Sequence, residues 1–224
     1  MAKKKKIRKK QIVIVDDHPM MRQGLAQLIN NEPDLEVACE AGTAREALDL
    51  ITGRESDLVL LDITLPDKNG LELIKDIQKQ SPALPLLVVS MHDEALYADR
   101  VLRAGGRGYI MKQAGGKKML EAIRQILSGR IYVSEKMSAK ILELFSGHRS
   151  DASSSPVEKL SDREFEVFQL IGQGKSTREI AEQLHLSVKT IEVHRAHIKE
   201  KLSLRNANEL VRFAARWTET ERGT

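Results

Sequence analysis

Residues 12–18 read IVIVDDH, residues 58–67 LVLLDITLPD, residues 86–90 LLVVS and residues 108–112 GYIMK. Each opens as a short apolar run of strand length and leads to a residue with chemistry: Asp16 and Asp17, Asp62, Ser90, Lys112. Continuous apolar runs such as LVLL and LLVV suit strands buried on both faces of a parallel sheet. If the runs lie side by side, the five side chains meet at one edge although they are scattered over the first half of the chain. Ligands of open α/β sheets bind beyond the carboxyl ends of the strands. Three carboxylates, a hydroxyl and an ammonium at that edge describe a site that holds a divalent metal and accepts a phosphoryl group.

Working outward, the pattern predicts strands at Ile12–Val15, Leu35–Ala38, Leu58–Leu61, Leu86–Val89 and Gly108–Met111. Amphipathic segments between them predict helices at Pro19–Asn30, Thr43–Thr52, Gly70–Gln80, Glu94–Ala104 and Gly116–Ser128. Strand and helix in alternation imply right-handed βαβ units, hence a five-stranded parallel, doubly wound sheet. Ser134–Phe145 reads as one more helix, and the small, polar stretch 147–156 (GHRSDASSSP) as a linker. Beyond it, Ser161–Gly172, Thr177–Leu184, Val188–Lys201 and Ala207–Trp217 carry helical periodicity with no strand-like run. The expected domains are a basic arm (1–10), the α/β domain (11–128), a helix and linker (129–156) and a small all-α four-helix domain (157–221).

The net charge of +4 is a poor guide to partners. Residues 3–10 (KKKKIRKK) hold seven of the 36 basic residues and no acid, so the remainder is slightly acidic, 29 against 32. Such a run binds nucleic acid or an anionic surface, or is simply a solvated arm. The single cysteine, Cys39, rules out an intramolecular disulfide and suits the cytoplasm. No apolar run reaches the roughly 18 residues of a membrane span, and no signal-peptide core follows the basic start.

Adjacent aspartates at a strand end diverge, so Asp17 is expected to reach a metal directly and Asp16 through water. Mg²⁺, which keeps waters and prefers oxygen ligands, suits such a donor set. Asp62 would attack phosphorus as a carboxylate nucleophile, Lys112 would meet a phosphoryl oxygen as a point charge, and Ser90 would donate to another.

These residues resemble the receiver domain of two-component response regulators. The resemblance covers 11–128 and rests on DD after the first strand, D…P…G around the third, S after the fourth and Y-x-x-K on the fifth. It implies a flavodoxin-like fold, phosphorylation of Asp62 by a sensor histidine kinase, and Mg²⁺ held by Asp17, Asp62 and the backbone carbonyl of Thr64. It also makes Ser90 and Tyr109 a switch pair, the hydroxyl moving toward the phosphoryl group and the ring following inward. One departure is Gln113, where many receivers have proline.

In the helical domain, TREIAEQLHLSVKTIEVHRAHIKEKL (177–202) reads as helix, turn, helix, with Ser187 capping the second helix. Ile180, Ala181 and Leu184 form one inner face, and Ile191, Ile198 and Leu202 the other. A helix so anchored suits the major groove, with basic and hydroxyl side chains on phosphates and a few groups on base edges. The wider stretch L-S-x-R-E…L-I-x-x-G-K-S-T-R-E-I-A…S-x-K-T-I-E-x-H…I-x-x-K-L is similar to the LuxR-type domain of NarL/FixJ response regulators. Candidate DNA contacts are Lys175, Thr177, Lys189, Thr190, Glu192, Val193, His194, Arg195, Lys199 and Lys201. From Pro156 onward there are 12 basic and 11 acidic residues, so any phosphate-facing charge must be local. Glu192 either accepts from cytosine N4 or pairs with a nearby Lys or Arg and reads nothing, while Ala196 can touch a thymine methyl.

The resulting expectation is a transcription regulator in which phosphorylation of Asp62 switches homodimerisation and promoter binding. RNA polymerase is a candidate further partner, and no membrane is involved. Two rivals are an aspartyl-phosphate phosphatase, against which Thr64 stands where a general acid is needed, and a phosphoryl sink whose helical domain binds no DNA.

Overall fold

The computed structural model describes residues 8–139 and 156–222, which divide into two compact units separating between Ala139 and Lys140. The N-terminal unit contains β1 (Lys10–Val15), β2 (Leu35–Ala41), β3 (Leu58–Leu61), β4 (Leu86–Ser90) and β5 (Gly108–Met111). All neighbouring strands pair in parallel, in the order β2-β1-β3-β4-β5. The chain leaves β1 toward one side of the sheet and returns on the other at β3, which creates a crevice between the carboxyl ends of these two strands.

Five helices cover the faces: α1 (Pro19–Asn30), α2 (Ala44–Thr52), α3 (Gly70–Gln80), α4 (Glu94–Ala104) and α5 (Gly116–Leu127). Their starts are set by local chemistry. Thr43, Asn69 and Asp93 each accept a backbone N–H of the first turn through the side chain, and α4 ends where Gly105 adopts φ +103°. On one face Ile12, Ile14, Leu58, Leu60, Leu87 and Val89 pack with Leu25 and Ile29 of α1 and Ala122, Ile123 and Ile126 of α5. The intervening strand residues Val13, Val59, Leu61 and Val88 are also buried, as strand alternation under a second helical layer requires.

Two boundaries differ from the sequence reading. β1 starts at Lys10, whose N–H donates to the Asp34 carbonyl at 2.9 Å, and Arg8 pairs with Glu55 at 2.7 Å. The last part of the basic stretch is therefore part of the sheet unit, and residues 1–7 lie outside the described residues. After α5 the chain bridges β5: the Tyr109 N–H donates to the Tyr132 carbonyl at 2.9 Å, and the Tyr132 N–H to the Arg107 carbonyl at 3.1 Å. Residues expected in the connecting segment thus add a short edge to the sheet. Residues 135–139 are helical; the remainder of the expected helix and the linker to 155 lie outside the described residues.

The C-terminal unit has a 3-10 turn at Pro156–Lys159, then α6 (Asp162–Gly172), α7 (Thr177–Gln183), α8 (Val188–Lys201) and α9 (Ala207–Arg222). Ser161 and Ser176 form capping boxes with Glu164 and Glu179, and Ser187 caps α8. Phe165 and Phe168 pack against Trp217 with ring centroids 5.6 and 5.5 Å apart. At the α6–α9 contact a Cβ on Gly172 would fall 2.6 Å from the Ala214 carbonyl, so only glycine permits this approach. The turn between α7 and α8 runs through His185 at φ +52°, with the Leu186 N–H donating to the Ala181 carbonyl at 2.9 Å. Among the described residues no helix is long and apolar enough to cross a membrane.

Candidate functional site

The fold gathers Asp16, Asp17, Asp62, Ser90 and Lys112 at the carboxyl ends of β1, β3, β4 and β5. Asp62 continues the β3 ladder, its N–H donating to the Val15 carbonyl at 2.8 Å, and so is held beside the Asp16–Asp17 pair. Gly70 lets the start of α3 press on this turn: a Cβ there would lie 2.6 Å from Ile63 Cα and 2.7 Å from the Asp62 carbonyl oxygen.

Lys112 Nζ lies 2.6 Å from Asp16 Oδ2 and 2.7 Å from Asp62 Oδ2, with all three side chains at least 94% buried. The other oxygens differ in what they do. Asp16 Oδ1 accepts the His18 N–H at 2.9 Å, and Asp62 Oδ1 accepts the Thr64 N–H at 3.3 Å. Asp17 Oδ1 is shielded from solvent without a hydrogen bond, with His18 Nδ1 2.5 Å away. One ligand atom from each of Asp16, Asp17, His18 and Asp62 falls within 4.8 Å of all the others.

Two buried carboxylates share one ammonium here, with the third, Asp17, beside His18. Burial raises the Asp62 pKa and the Asp16 charge adds to that, while Lys112 opposes it. Lys112 itself is raised: burial lowers it, but Asp62 and Asp16 together outweigh burial. Three carboxylates against one ammonium leave an excess of negative charge and of oxygen donors that a divalent cation would satisfy, so the donor set fits one.

Ser90 is fully buried and its Oγ accepts the His92 N–H at 3.3 Å. Tyr109 is also fully buried, its hydroxyl donating to the His92 carbonyl at 2.8 Å. Burial raises the phenol pKa strongly, keeping it a donor. The ring expected to follow Ser90 inward therefore already lies inside in this conformation. The peptide between Lys112 and Gln113 is trans.

Two residues escaped the sequence reading. His92 meets the Thr64 hydroxyl through Nε2 at 3.1 Å and stacks on Tyr97 with centroids 4.8 Å apart, placing an imidazole over the acceptor turn. His18 faces Asp17. A single histidine has no periodic pattern to mark it; position alone, one residue past Asp17 and two past Ser90, was the available signal.

In the C-terminal unit, Lys189, Glu192, Val193, Ala196 and Glu200 are exposed along α8, spaced as one helical stripe. Thr190 stands beside it with its hydroxyl 2.7 Å from Ser187 Oγ. Lys175 and Thr177, at the start of α7, and Arg195 and Lys199, on α8, are half-buried. Glu192 takes part in none of the ion pairs among the described residues. Lys201 and His194 are instead engaged toward α6. Lys201 Nζ lies 2.6 Å from Glu164 Oε2, and burial, with Arg163 nearby, lowers the His194 pKa. Ile191 and Ile198 are fully buried beneath the stripe, and Leu202 is half-buried.

Comparison with known proteins agrees with both halves of this geometry. Residues 12–124 match the response regulator receiver domain, and residues 158–214 match the bacterial regulatory proteins of the luxR family. The oxygen regulatory protein NreC of Staphylococcus carnosus is 35% identical over 207 residues, 91% of this chain and 95% of that protein. NreC of Staphylococcus aureus strain MRSA252 is 37% identical over the same shares. Among solved structures, RcsB from Salmonella enterica serovar Typhimurium bound to promoter rprA with the phosphomimetic BeF3⁻ superposes with a TM-score of 0.62. It covers 93% of this chain and 99% of that one at 23% identity, a likeness of fold. A LuxR-family response regulator from Aurantimonas is 33% identical over 62% of this chain and 99% of its own, with a TM-score of 0.57. The chain belongs to the NarL-type two-component response regulators, in which a receiver domain is joined to a LuxR-type helix-turn-helix DNA-binding domain.

Proposed function

We propose that a sensor histidine kinase phosphorylates this protein on Asp62, and that the phosphorylated form dimerises and binds promoter DNA through α8 to regulate transcription. The supporting observation is the division of labour among the buried carboxylates. Asp62 is held by Lys112 and the Thr64 N–H, whereas Asp17 keeps an oxygen free of hydrogen bonds.

In the transfer, the P–N bond of a phosphohistidine breaks and a P–O bond forms to an Asp62 carboxylate oxygen. The departing imidazole takes up a proton and leaves neutral. Mg²⁺ would be held by Asp17, Asp62 and the backbone carbonyl of Thr64, with Asp16 joined through water. When bound it neutralises charge on the phosphoryl oxygens and relieves repulsion among the carboxylates. Lys112 passes from a carboxylate oxygen of Asp62 to a phosphoryl oxygen, keeping its pairing with Asp16. Ser90 donates its hydroxyl to another phosphoryl oxygen. Tyr109 is already inside, so in this reading Ser90 is the member of the pair that moves, and the ring is held rather than drawn in.

Thr64 offers no carboxylic acid two residues beyond Asp62, and its hydroxyl is engaged by His92. Water attack on the aspartyl phosphate therefore lacks a carboxylate there to act as general base, and in this reading the phosphoryl group acts as a signal rather than a turnover intermediate. Contacts to DNA come from Lys189, Thr190, Glu192, Val193 and Ala196, with Lys175, Thr177, Arg195 and Lys199 on flanking phosphates. Dimerisation roughly doubles the phosphates neutralised, which raises affinity and its salt dependence together. RNA polymerase is the further partner of this reading, and the cytoplasm its compartment.

With BeF3⁻ or a small phosphodonor and Mg²⁺, the wild-type protein should become dimeric by light scattering and bind promoter fragments more tightly in gel-shift titrations. Asp62→Asn should do neither. Full phosphodonor-stimulated dimerisation and binding by Asp62→Asn would overturn the proposal.

A further inference from the structure

His18 occupies the N-cap position of α1, yet its side chain caps nothing: it makes no hydrogen bond to the first turn. Residues that stabilise a helix start are those with a short oxygen acceptor, Ser, Thr, Asp and Asn. Pro19 follows at the first helical position and sets the turn without help. Nor does the imidazole serve the core, being 66% exposed. Its Nδ1 instead turns back on the acidic site, 2.5 Å from Asp17 Oδ1 and 3.3 Å from Asp16 Oδ1. The oxygen it meets is the one carboxylate oxygen at the site that is shielded and has no hydrogen bond.

We propose that His18 is a nitrogen ligand of this metal site, so that the site prefers first-row transition cations such as Mn²⁺ over Mg²⁺. The inference rests on the acidic cluster being a metal site at all, as the phosphorylation reading requires. Donor chemistry carries the rest. An all-oxygen set of carboxylates, a carbonyl and water suits Mg²⁺, a hard ion that releases its waters reluctantly. Imidazole adds little for Mg²⁺ but strengthens binding of first-row transition ions, whose affinity for nitrogen donors exceeds that of the alkaline earths. The reach is short: a ligand atom of His18 lies within 4.8 Å of one from each of Asp16, Asp17 and Asp62, so one ion can engage the ring and the carboxylates together. The exposed ring meets no tight packing that would hold it away.

Manganese supplies its own probe. In the full-length protein, Mn²⁺ binding is followed by loss of the free-ion EPR signal, and Mg²⁺ affinity by competition. Electron spin-echo modulation of the bound Mn²⁺ then reads its ligands directly. The wild type should show ¹⁴N modulation, and His18→Ala should lose it. The ratio of Mg²⁺ to Mn²⁺ dissociation constants should fall by about tenfold or more in that variant. His18→Asn, which offers oxygen in place of nitrogen, should still bind both ions but lose the modulation and the preference for Mn²⁺. Bound Mn²⁺ without ¹⁴N modulation in the wild type, or an unchanged ratio in His18→Ala, overturns the role of His18 and leaves the acidic metal site standing. Failure of the wild type to bind either ion overturns the metal site and the inference with it.

Discussion

At the scale of single residues, the acidic site trades stability for chemistry. Asp16, Asp17 and Asp62 crowd together with one ammonium, which pairs with the two that are almost fully buried, Asp16 and Asp62. Like charges this close disfavour the folded state unless a cation joins them. Asp17→Asn removes one charge without breaking the Lys112 pairs, and its oxygen remains available to neighbouring donors. In metal-free buffer this variant should be more stable than the wild type, by about 1 kcal/mol in urea titrations. It should also lose the stabilisation that added Mg²⁺ gives the wild type. A less stable variant would show that the Asp17 charge is compensated within the fold. Asp16, Asp17, Asp62, Ser90 and Lys112 were legible in the sequence because strand ends mark them: an apolar run stops, and the next residue carries chemistry. His18 and His92 were not, because their roles depend on distances to Asp17 and Thr64 that no one-dimensional pattern encodes.

At the scale of elements, caps account for most of the agreement in boundaries. Ser187 reads as a helix cap and acts as one, and Ser161, Ser176, Thr43, Asn69 and Asp93 cap helices whose starts the sequence pattern places at the same or the next residue. Two contacts that no local pattern shows are those where one element borrows from another. Lys201 belongs by spacing to the basic side of α8, but its ammonium is bound to Glu164 of α6. The Tyr132 bridge to β5 involves too few residues to show a period of two.

Glu164 therefore has two duties, completing the α6 capping box and pairing with Lys201. Although burial pushes its carboxyl upward, the Lys201 bond and the Ser161 donors outweigh burial and hold the pKa below its ordinary value of 4.5. A folded-state pKa below the unfolded one means that stability is fully present above about pH 4.5 and is lost as pH falls through the depressed value. Glu164→Gln keeps an acceptor for the cap but loses the charge. It should be less stable than the wild type at pH 7, and the gap should close as pH falls below 4.5, measured by denaturant titration. A gap independent of pH would assign the loss to packing instead.

At the scale of the whole molecule, the two units have separate cores, and the chain carries a single tryptophan, Trp217, packed on Phe165 and Phe168 of α6. Its fluorescence thus reports on the DNA-binding unit, whereas circular dichroism sees both. Denaturant unfolding should give non-coincident curves for the two probes. Mg²⁺ at ten times its dissociation constant should stabilise the receiver by about 1.4 kcal/mol while leaving the Trp217 transition in place. Coincident curves, moved together by Mg²⁺, would mean that the units unfold as one.

The bridge made by Tyr132 has a consequence for how copies of this protein can meet. An open sheet has two edges, each a row of unpaired N–H and carbonyl groups that invites a foreign strand. Here β5 is only four residues long, and Tyr132 occupies groups of Arg107 and Tyr109 along it. At the opposite edge, the Val37 N–H donates to Asn30 Oδ1 at 2.9 Å, Arg54 donates to the Ala38 carbonyl at 3.3 Å, and the β1–β2 register shifts beside them. Both margins thereby offer fewer open backbone groups to strand addition and the fibrous aggregation it seeds.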